Sequence, residues 1–245
     1  MDIDDFYALS TATAPLLGER EVQLSVVDLG LLRVPSGLLE ASDPYVELGD
    51  GVVVPIPPGD YPVRVTIADV SDEQDGSHLR EAYLSVVVSE APSVAVKAAS
   101  GVDGPPPEGE YFGVGVDAGT VGFVDSEAIA RSMPEDGGTW HEEVFDSERP
   151  DAWFTVMDNE APLPTGLANV VMPLAAAGEN VVLSHSGWGD GWYPLLETRD
   201  SAGNLTGIHI DLQVVGVIEE QPDETDPPAP VDRAPRGFFA RLFGR

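Results

Sequence analysis

The segment Leu205–Val217, LTGIHIDLQVVGV, carries the clearest structural signal in the chain. Ile208, Ile210, Leu212 and Val214 occupy alternate positions, with His209, Asp211 and Gln213 between them. Successive side chains of a strand point to opposite faces, so this alternation predicts a strand with one apolar and one wet face. Pro62–Val70 repeats the pattern, with Val63, Val65 and Ile67 on one face and Arg64, Thr66 and Ala68 on the other. Val22–Leu29, Leu31–Val34, Ala82–Val88, Ser93–Ala98 and Asn180–Ser184 are further short Val-, Leu- and Ile-rich runs. Turn clusters such as Pro35-Ser36-Gly37, Pro57-Pro58-Gly59-Asp60 and Ser201-Ala202-Gly203-Asn204 separate them. Helix signals are few. Asp125–Met133 opens on a capping Asp or Ser, has Glu127 in its first turn and is stopped by Pro134, and Gly138–Phe145 is a weaker second segment with Thr139 as its cap. The expected fold is therefore mainly β, a sandwich or partly closed barrel of short strands with one or two short helices.

Composition bounds the function. The 245 residues hold 43 acidic and 12 basic side chains, a formal charge of −31, and no cysteine. Disulfides, thiol chemistry and thiolate metal sites are thereby excluded. Such an acidic body repels phosphate backbones, so no nucleic-acid partner is expected, while a basic protein partner is the functional reading of the charge. The acidic start MDIDDFYALS lacks the basic flank and apolar run of a secretory signal, so a cytoplasmic location is expected. Ala99–Gly109 is rich in Gly and Pro and reads as an exposed loop or a hinge between halves of a globular body spanning residues 1–218. Residues 219–232 hold six acids and four prolines with almost nothing apolar, the composition of a disordered linker.

Four segments, taken in order, resemble an uncharacterised bacterial family, domain of unknown function 4241. They are Pro35-Ser36-Gly37 with Asp43-Pro44, then Pro57-Pro58-Gly59-Asp60-Tyr61-Pro62-Val63, then Val116-Asp117-Ala118-Gly119-Thr120 with Phe123-Val124-Asp125, and Ser186-Gly187-Trp188-Gly189-Asp190-Gly191-Trp192-Tyr193-Pro194. The resemblance spans roughly residues 31–215 and implies a β-rich body with no assigned activity.

Among chemistry-bearing stretches, Ser184–Pro194 stands out. Gly187, Gly189 and Gly191 let the backbone approach a ligand closely, and Asp190 lies among Trp188, Trp192 and Tyr193. Convergence of Asp117, Asp125 and Asp190 would form a ligand or hard-cation site. The structural alternative makes Gly189-Asp190-Gly191 a turn, Asp117 a turn residue and Asp125 a helix cap. The glycines lack dinucleotide-binding spacing, and Asp72–Gly76 lacks the distal glutamate of a calcium loop. His78, His141, His185 and His209 show no zinc spacing, and no Gly-x-Ser-x-Gly elbow occurs. Ser184 and His185 are neighbours whose side chains would diverge on a strand. No catalytic residue, metal or cofactor is assigned.

The tail, residues 233–245, inverts the composition of the body. Arg236, Arg241 and Arg245 accompany Phe238, Phe239, Leu242 and Phe243. On a short helix the four apolar residues fall within an arc of about 140°, with Arg241 outside it. Gly237–Gly244 resembles the membrane-targeting tail of the bacterial division-site ATPase. The expectation is a non-enzymatic interaction module, tethered through this tail to a membrane surface or a protein groove as a peripheral partner. The alternative is a ligand- or cation-binding protein, or a hydrolase-type enzyme, using the loop at residues 187–191.

Overall fold

The computed structural model describes residues 2–18 and 20–216, so the linker and tail read from the sequence lie outside the described residues. Strands account for 43% of the chain and helices for 12%, which makes the protein mainly β. In chain order the strands are β1 (Thr13–Leu16), β2 (Arg20–Val34), β3 (Leu38–Ser42), β4 (Val52–Pro55), β5 (Gly59–Asp69), β6 (Leu79–Val87) and β7 (Ala95–Ala98). They continue as β8 (Gly113–Val116), β9 (Thr120–Asp125), β10 (Leu167–Val171), β11 (Asn180–His185), β12 (Gly191–Arg199) and β13 (Leu205–Asp211). Two helices, α1 (Ser126–Ser132) and α2 (Trp153–Asp158), accompany them. Among the described residues no helix is long and apolar enough to cross a membrane.

One sheet runs β1-β2-β5-β6-β13-β12-β7, with β8 also paired to β12, and the other runs β10-β11-β9-β3-β4. The first curls into a half-barrel. Its curl has a visible cause, because the register shifts between Asp28 and Gly30, between Thr66 and Ile67, and between Thr198 and Arg199. Each extra residue bends its strand and increases the local twist. The first shift also explains why the sequence shows two runs, Val22–Leu29 and Leu31–Val34, where the structure has the single strand β2. The loop at 99–109 joins β7 to β8, and both of these strands pair with β12. It therefore links two strands on one partner rather than two halves of the body.

The main core lies between the sheets, where Leu32, Val63, Val65, Leu84, Ile208 and Ile210 of one face Leu39, Phe123 and Val182 of the other. A second core lies behind the smaller sheet, where Val124, Val181, Leu183 and Val170 pack against Ile129 of α1 and Trp153 and Met157 of α2. Strands β9 and β11 are thus covered on both faces, which is why Asn180–Ser184 of β11 reads as an apolar run without alternation. Helix α1 is capped as its sequence implies, the Asp125 Oδ1 accepting from the Ala128 N–H at 3.1 Å. The segment around 138–145 is instead a 3₁₀ turn, Gly137–Thr139, followed by a π turn, His141–Phe145, and its cap is Asp136, not Thr139.

The expected wet face of β13 is a correction. His209 is 1% exposed and Asp211 5%, because the N-terminal segment lies over the outer face of the half-barrel. Phe6 packs edge-on at 5.3 Å from Tyr83 and 5.0 Å from His209, and the Leu9 N–H donates to Thr66 Oγ1 at 2.8 Å. Buried polar groups must find partners. His209 does so through Ser85 Oγ at 2.9 Å and Thr198 Oγ1 at 3.0 Å, and burial drives its pKa down to about 3. Asp211 has only the Gln213 N–H, at 2.9 Å, and burial pushes its carboxyl up to about 7. An acid whose folded pKa is raised destabilises the fold once the unfolded chain ionises. The penalty is absent below about pH 4, grows toward pH 7 and is constant above, reaching roughly 4 kcal/mol. Asp211→Asn is therefore expected to raise the melting temperature at pH 8 and to give no advantage at pH 4. A constant difference between the two variants across that range, read by thermal unfolding, would contradict it.

Candidate functional site

Asp43, fully buried just after β3, organises one end of the molecule. Its Oδ2 accepts from the Asp117 and Ala118 N–H groups at 3.0 and 2.7 Å, and its Oδ1 accepts from the Tyr45 N–H and the Thr120 hydroxyl, each at 3.2 Å. The 117–120 turn is thereby fixed. The Gly119 carbonyl then accepts from the Ser186 N–H at 3.0 Å, which holds the start of the second turn. That turn is closed on itself, since the Gly189 carbonyl accepts from Ser186 Oγ at 2.8 Å and from the Tyr193 hydroxyl at 2.6 Å.

Between these two turns, the end of β6 and the end of α2 lies an open cleft of about 390 Å³. Its aromatic lining is Tyr45, Phe154 and Trp188, and its ionisable lining is Arg80, Glu81, Asp158 and His185. Tyr45 and Phe154 lie 4.3 Å apart between ring centroids, and the Tyr45 hydroxyl meets Met157 Sδ at 3.0 Å. The Arg80 guanidinium stacks 5.3 Å above the half-exposed Trp188 ring, and His78 meets the same indole edge-on.

The charges in the cleft are out of the ordinary in three ways. Burial pushes Glu81 up to about 6 against a small opposing pull from Arg80. Burial also lowers the His185 imidazole, with Asp158 pulling it back up, and the ring lies against Gly166, where a Cβ would collide with it. Tyr45 is held well above the usual phenol range by burial, then by the charges of Asp43 and Asp158. Arg80 itself is the exception to a rule. The other described cations each reach a carboxylate: Arg20, Arg33, Arg64, Arg131 and Arg149 on separate partners, Lys97 and Arg199 both on Glu197. Arg80 forms no ion pair among the described residues, and its Nε is buried without an acceptor.

A family model described as "Protein of unknown function (DUF4241)" matches residues 32–210. The chain belongs to this family. No curated protein and no solved structure matches it. The four segments that carry the resemblance lie within the matched range and fall at two ends of the body. At one, the Ser36 N–H donates to Asp125 Oδ2 at 2.9 Å, the Ile56 N–H donates to the Gly37 carbonyl at 2.9 Å, and the Tyr61 hydroxyl donates to the Pro57 carbonyl. At the other, Asp43, the 117–120 turn and the 186–193 segment build the cleft.

Of the six residues singled out from the sequence, Trp188 lines the cleft and Tyr193 props its loop from below. Asp117 and Asp190 are exposed and stand together, just beyond the Val116–Gly191 register pair of β8 and β12. Asp125 does not join them, because it sits at the opposite end of β9 from Thr120, roughly 16 Å along the strand. Trp192 covers Gly113 on the β8–β12 ribbon and lies outside the cleft lining. Among the described residues no three His, Asp or Glu side chains gather as a metal site would require. The Arg80-Glu81 pair, Asp158 and His185 come from three separate parts of the chain, and nothing in the local sequence marks the three as neighbours.

Gly187 is the tightest point of the loop. Its φ is +66°, and a Cβ there would come within 2.8 Å of Val214 Cγ2 and 2.9 Å of the Glu81 carbonyl. Gly189 shares the positive φ, at +104°, but a Cβ there would meet nothing within 4 Å. Gly187→Ala is expected to cost about 2–4 kcal/mol, combining backbone strain with overpacking, and to move Trp188. Gly189→Ala should cost about 1–2 kcal/mol from strain alone. Urea unfolding and tryptophan emission would check this, and equal losses would show that the loop is not seated on β6.

Proposed function

We propose that the body is a non-enzymatic binding module whose recognition site is this cleft. The observation that carries the reading is Arg80, a guanidinium over an indole that has no carboxylate partner among the described residues, in a chain where carboxylates abound. A guanidinium without a paired carboxylate is a ready partner for an arriving acceptor, because charge-assisted hydrogen bonds are the strong ones. Mixed aromatic walls and a few converging polar groups are the usual make-up of a ligand site. A hydrolase-type alternative needs a hydroxyl activated by His185. The three cleft hydroxyls are engaged elsewhere, Ser186 on the Gly189 carbonyl, Thr120 on Asp43 and the Ala118 carbonyl, and Tyr45 on Met157 Sδ, which favours binding over covalent catalysis. The wider acidic surface suits a partner that is basic around its point of insertion, through long-range steering.

A fragment screen followed by nuclear magnetic resonance on the isotopically labelled full chain tests the reading. Hits are expected to perturb the Trp188 indole N–H and the amides of Gly119, Gly187 and Gly189. Hits that cluster elsewhere, with the cleft silent, would sink it.

The tether is proposed from sequence alone. Burying Phe238, Phe239, Leu242 and Phe243 in a bilayer would supply several kcal/mol before ordering costs, and each arginine near anionic lipid adds roughly 1 kcal/mol. The full chain is expected to co-sediment weakly with anionic liposomes at low salt, and a chain ending at Asp232 should not. Equal sedimentation of both would make the tail a protein-docking peptide instead.

A further inference from the structure

We propose that the cleft takes a carboxylate on a flat apolar scaffold, held edge-on by the Arg80 guanidinium. The inference rests on the binding-module reading above and names the ligand chemistry it leaves open.

The Arg80 Cζ lies 5.3 Å over the Trp188 ring, a contact with the indole face that uses none of the guanidinium N–H groups as hydrogen-bond donors. One of these is used, since Nη1 donates back to the Leu79 carbonyl at 3.2 Å. Nε is closed off without an acceptor, and Nη2 makes no hydrogen bond among the described residues, so the edge open to a ligand is the terminal one, made by Nη2 and the remaining Nη1 hydrogen. Two parallel N–H groups in one plane match two carboxylate oxygens, the bidentate pairing that favours arginine over lysine. Glu81, the next residue, also lines the cleft, yet among the described residues it forms no ion pair with Arg80.

Charge decides between a carboxylate and a phosphate. Glu81 and Asp158 already line the cleft, so a doubly charged phosphate would meet twice the repulsion of a singly charged carboxylate. The flat apolar part follows from Tyr45, Phe154 and Trp188, rings that stack planar groups at little entropic cost. Glu81 shares the site with Arg80 from its own strand, Asp158 from α2, His185 from β11 and Tyr45 after β3, while His78 faces the indole. Protonating Glu81 removes a negative charge from beside the ligand, so binding strengthens as the pH falls through about 6.

The probes are benzoate, benzamide of the same shape without the charge, and inorganic phosphate, each titrated into the labelled full chain. Benzoate is expected to shift the Arg80 Nε and Trp188 indole resonances and to bind at least about tenfold more tightly than either control. Arg80→Gln should bring benzoate down to the benzamide level, and Arg80→Lys should leave it well below the parent chain, with both variants retaining the parent's dispersed amide spectrum. Lowering the pH from about 7.5 to about 5.5 should tighten benzoate binding several-fold in the parent chain, and much less in Glu81→Gln. Benzamide binding the cleft as tightly as benzoate would overturn the carboxylate while leaving a binding module. A preference for phosphate would overturn it equally. A cleft that responds to none of the probes, yet answers other fragments, would reject the ligand class alone.

Discussion

Replacing Asp43 with alanine is expected to destabilise the protein by about 3–5 kcal/mol, among the largest losses available from one side chain. Four donors converge on this buried carboxylate: the N–H groups of Tyr45, Asp117 and Ala118 and the hydroxyl of Thr120. Alanine leaves them facing a void, and each buried donor without an acceptor costs about 1–3 kcal/mol before local rearrangement recovers part of it. The damage should also be directional. The 117–120 turn carries the Gly119 carbonyl that holds Ser186, so the cleft loop is expected to loosen with it. Hydrogen exchange on a folded fraction should show faster exchange at residues 117–120 and 186–189 than at the half-barrel strands. Asp43→Asn keeps one acceptor oxygen and should lose roughly half as much. A loss under about 1 kcal/mol for Asp43→Ala, measured by urea unfolding, would mean the turn holds itself.

The second large loss is expected at Trp153. Its side chain is 1% exposed, and its ring lies 5.0 Å from that of Phe145 behind the smaller sheet. Removing so large a buried side chain typically costs about 3–5 kcal/mol through lost transfer energy and the remaining cavity. Helix α2 is only six residues long, too short to persist without this packing. Trp153 and Met157 bury one face of it, while Phe154 and Asp158, one position further on, reach the cleft. Trp153→Ala should therefore remove one wall of the site as well as stability, whereas Trp153→Phe should retain most of both. Stability lost with fragment binding at the cleft unchanged would show that α2 does not shape the site.

The half-barrel was legible where alternation is strong. Ile208, Ile210, Leu212 and Val214 all point into the main core as their spacing implies, although the strand itself ends at Asp211. What alternation cannot reveal is a cover supplied from elsewhere. His209 and Asp211 read as wet because nothing near them says that Phe6 and its neighbours will lie over them. Strand β9 was missed because Thr120–Asp125 is short and interrupted by Gly122, and β12 because Pro194 interrupts it. Asp125 was legible as a cap because the signal is local.

The site divides in the same way. Trp188 and the glycines around it were visible as a motif, since close backbone approach demands glycine. Arg80 and Glu81 were not, because their significance is relational. An arginine is informative here only once the other described cations are seen to be paired, and a glutamate only once its burial is known. Asp43 stood inside one of the segments that carry the family resemblance, yet its task of joining three segments distant in sequence is a property of the folded chain.

The most direct measurement is a crystal structure of the full chain grown with benzoate near pH 6. The expected result is a carboxylate paired with the Arg80 edge and a ring lying against Trp188, Tyr45 or Phe154, with the loop at 187–189 in place. Benzoate bound elsewhere with the Arg80 edge unpaired, or Arg80 turned to a carboxylate of its own chain, would contradict the cleft as a recognition site.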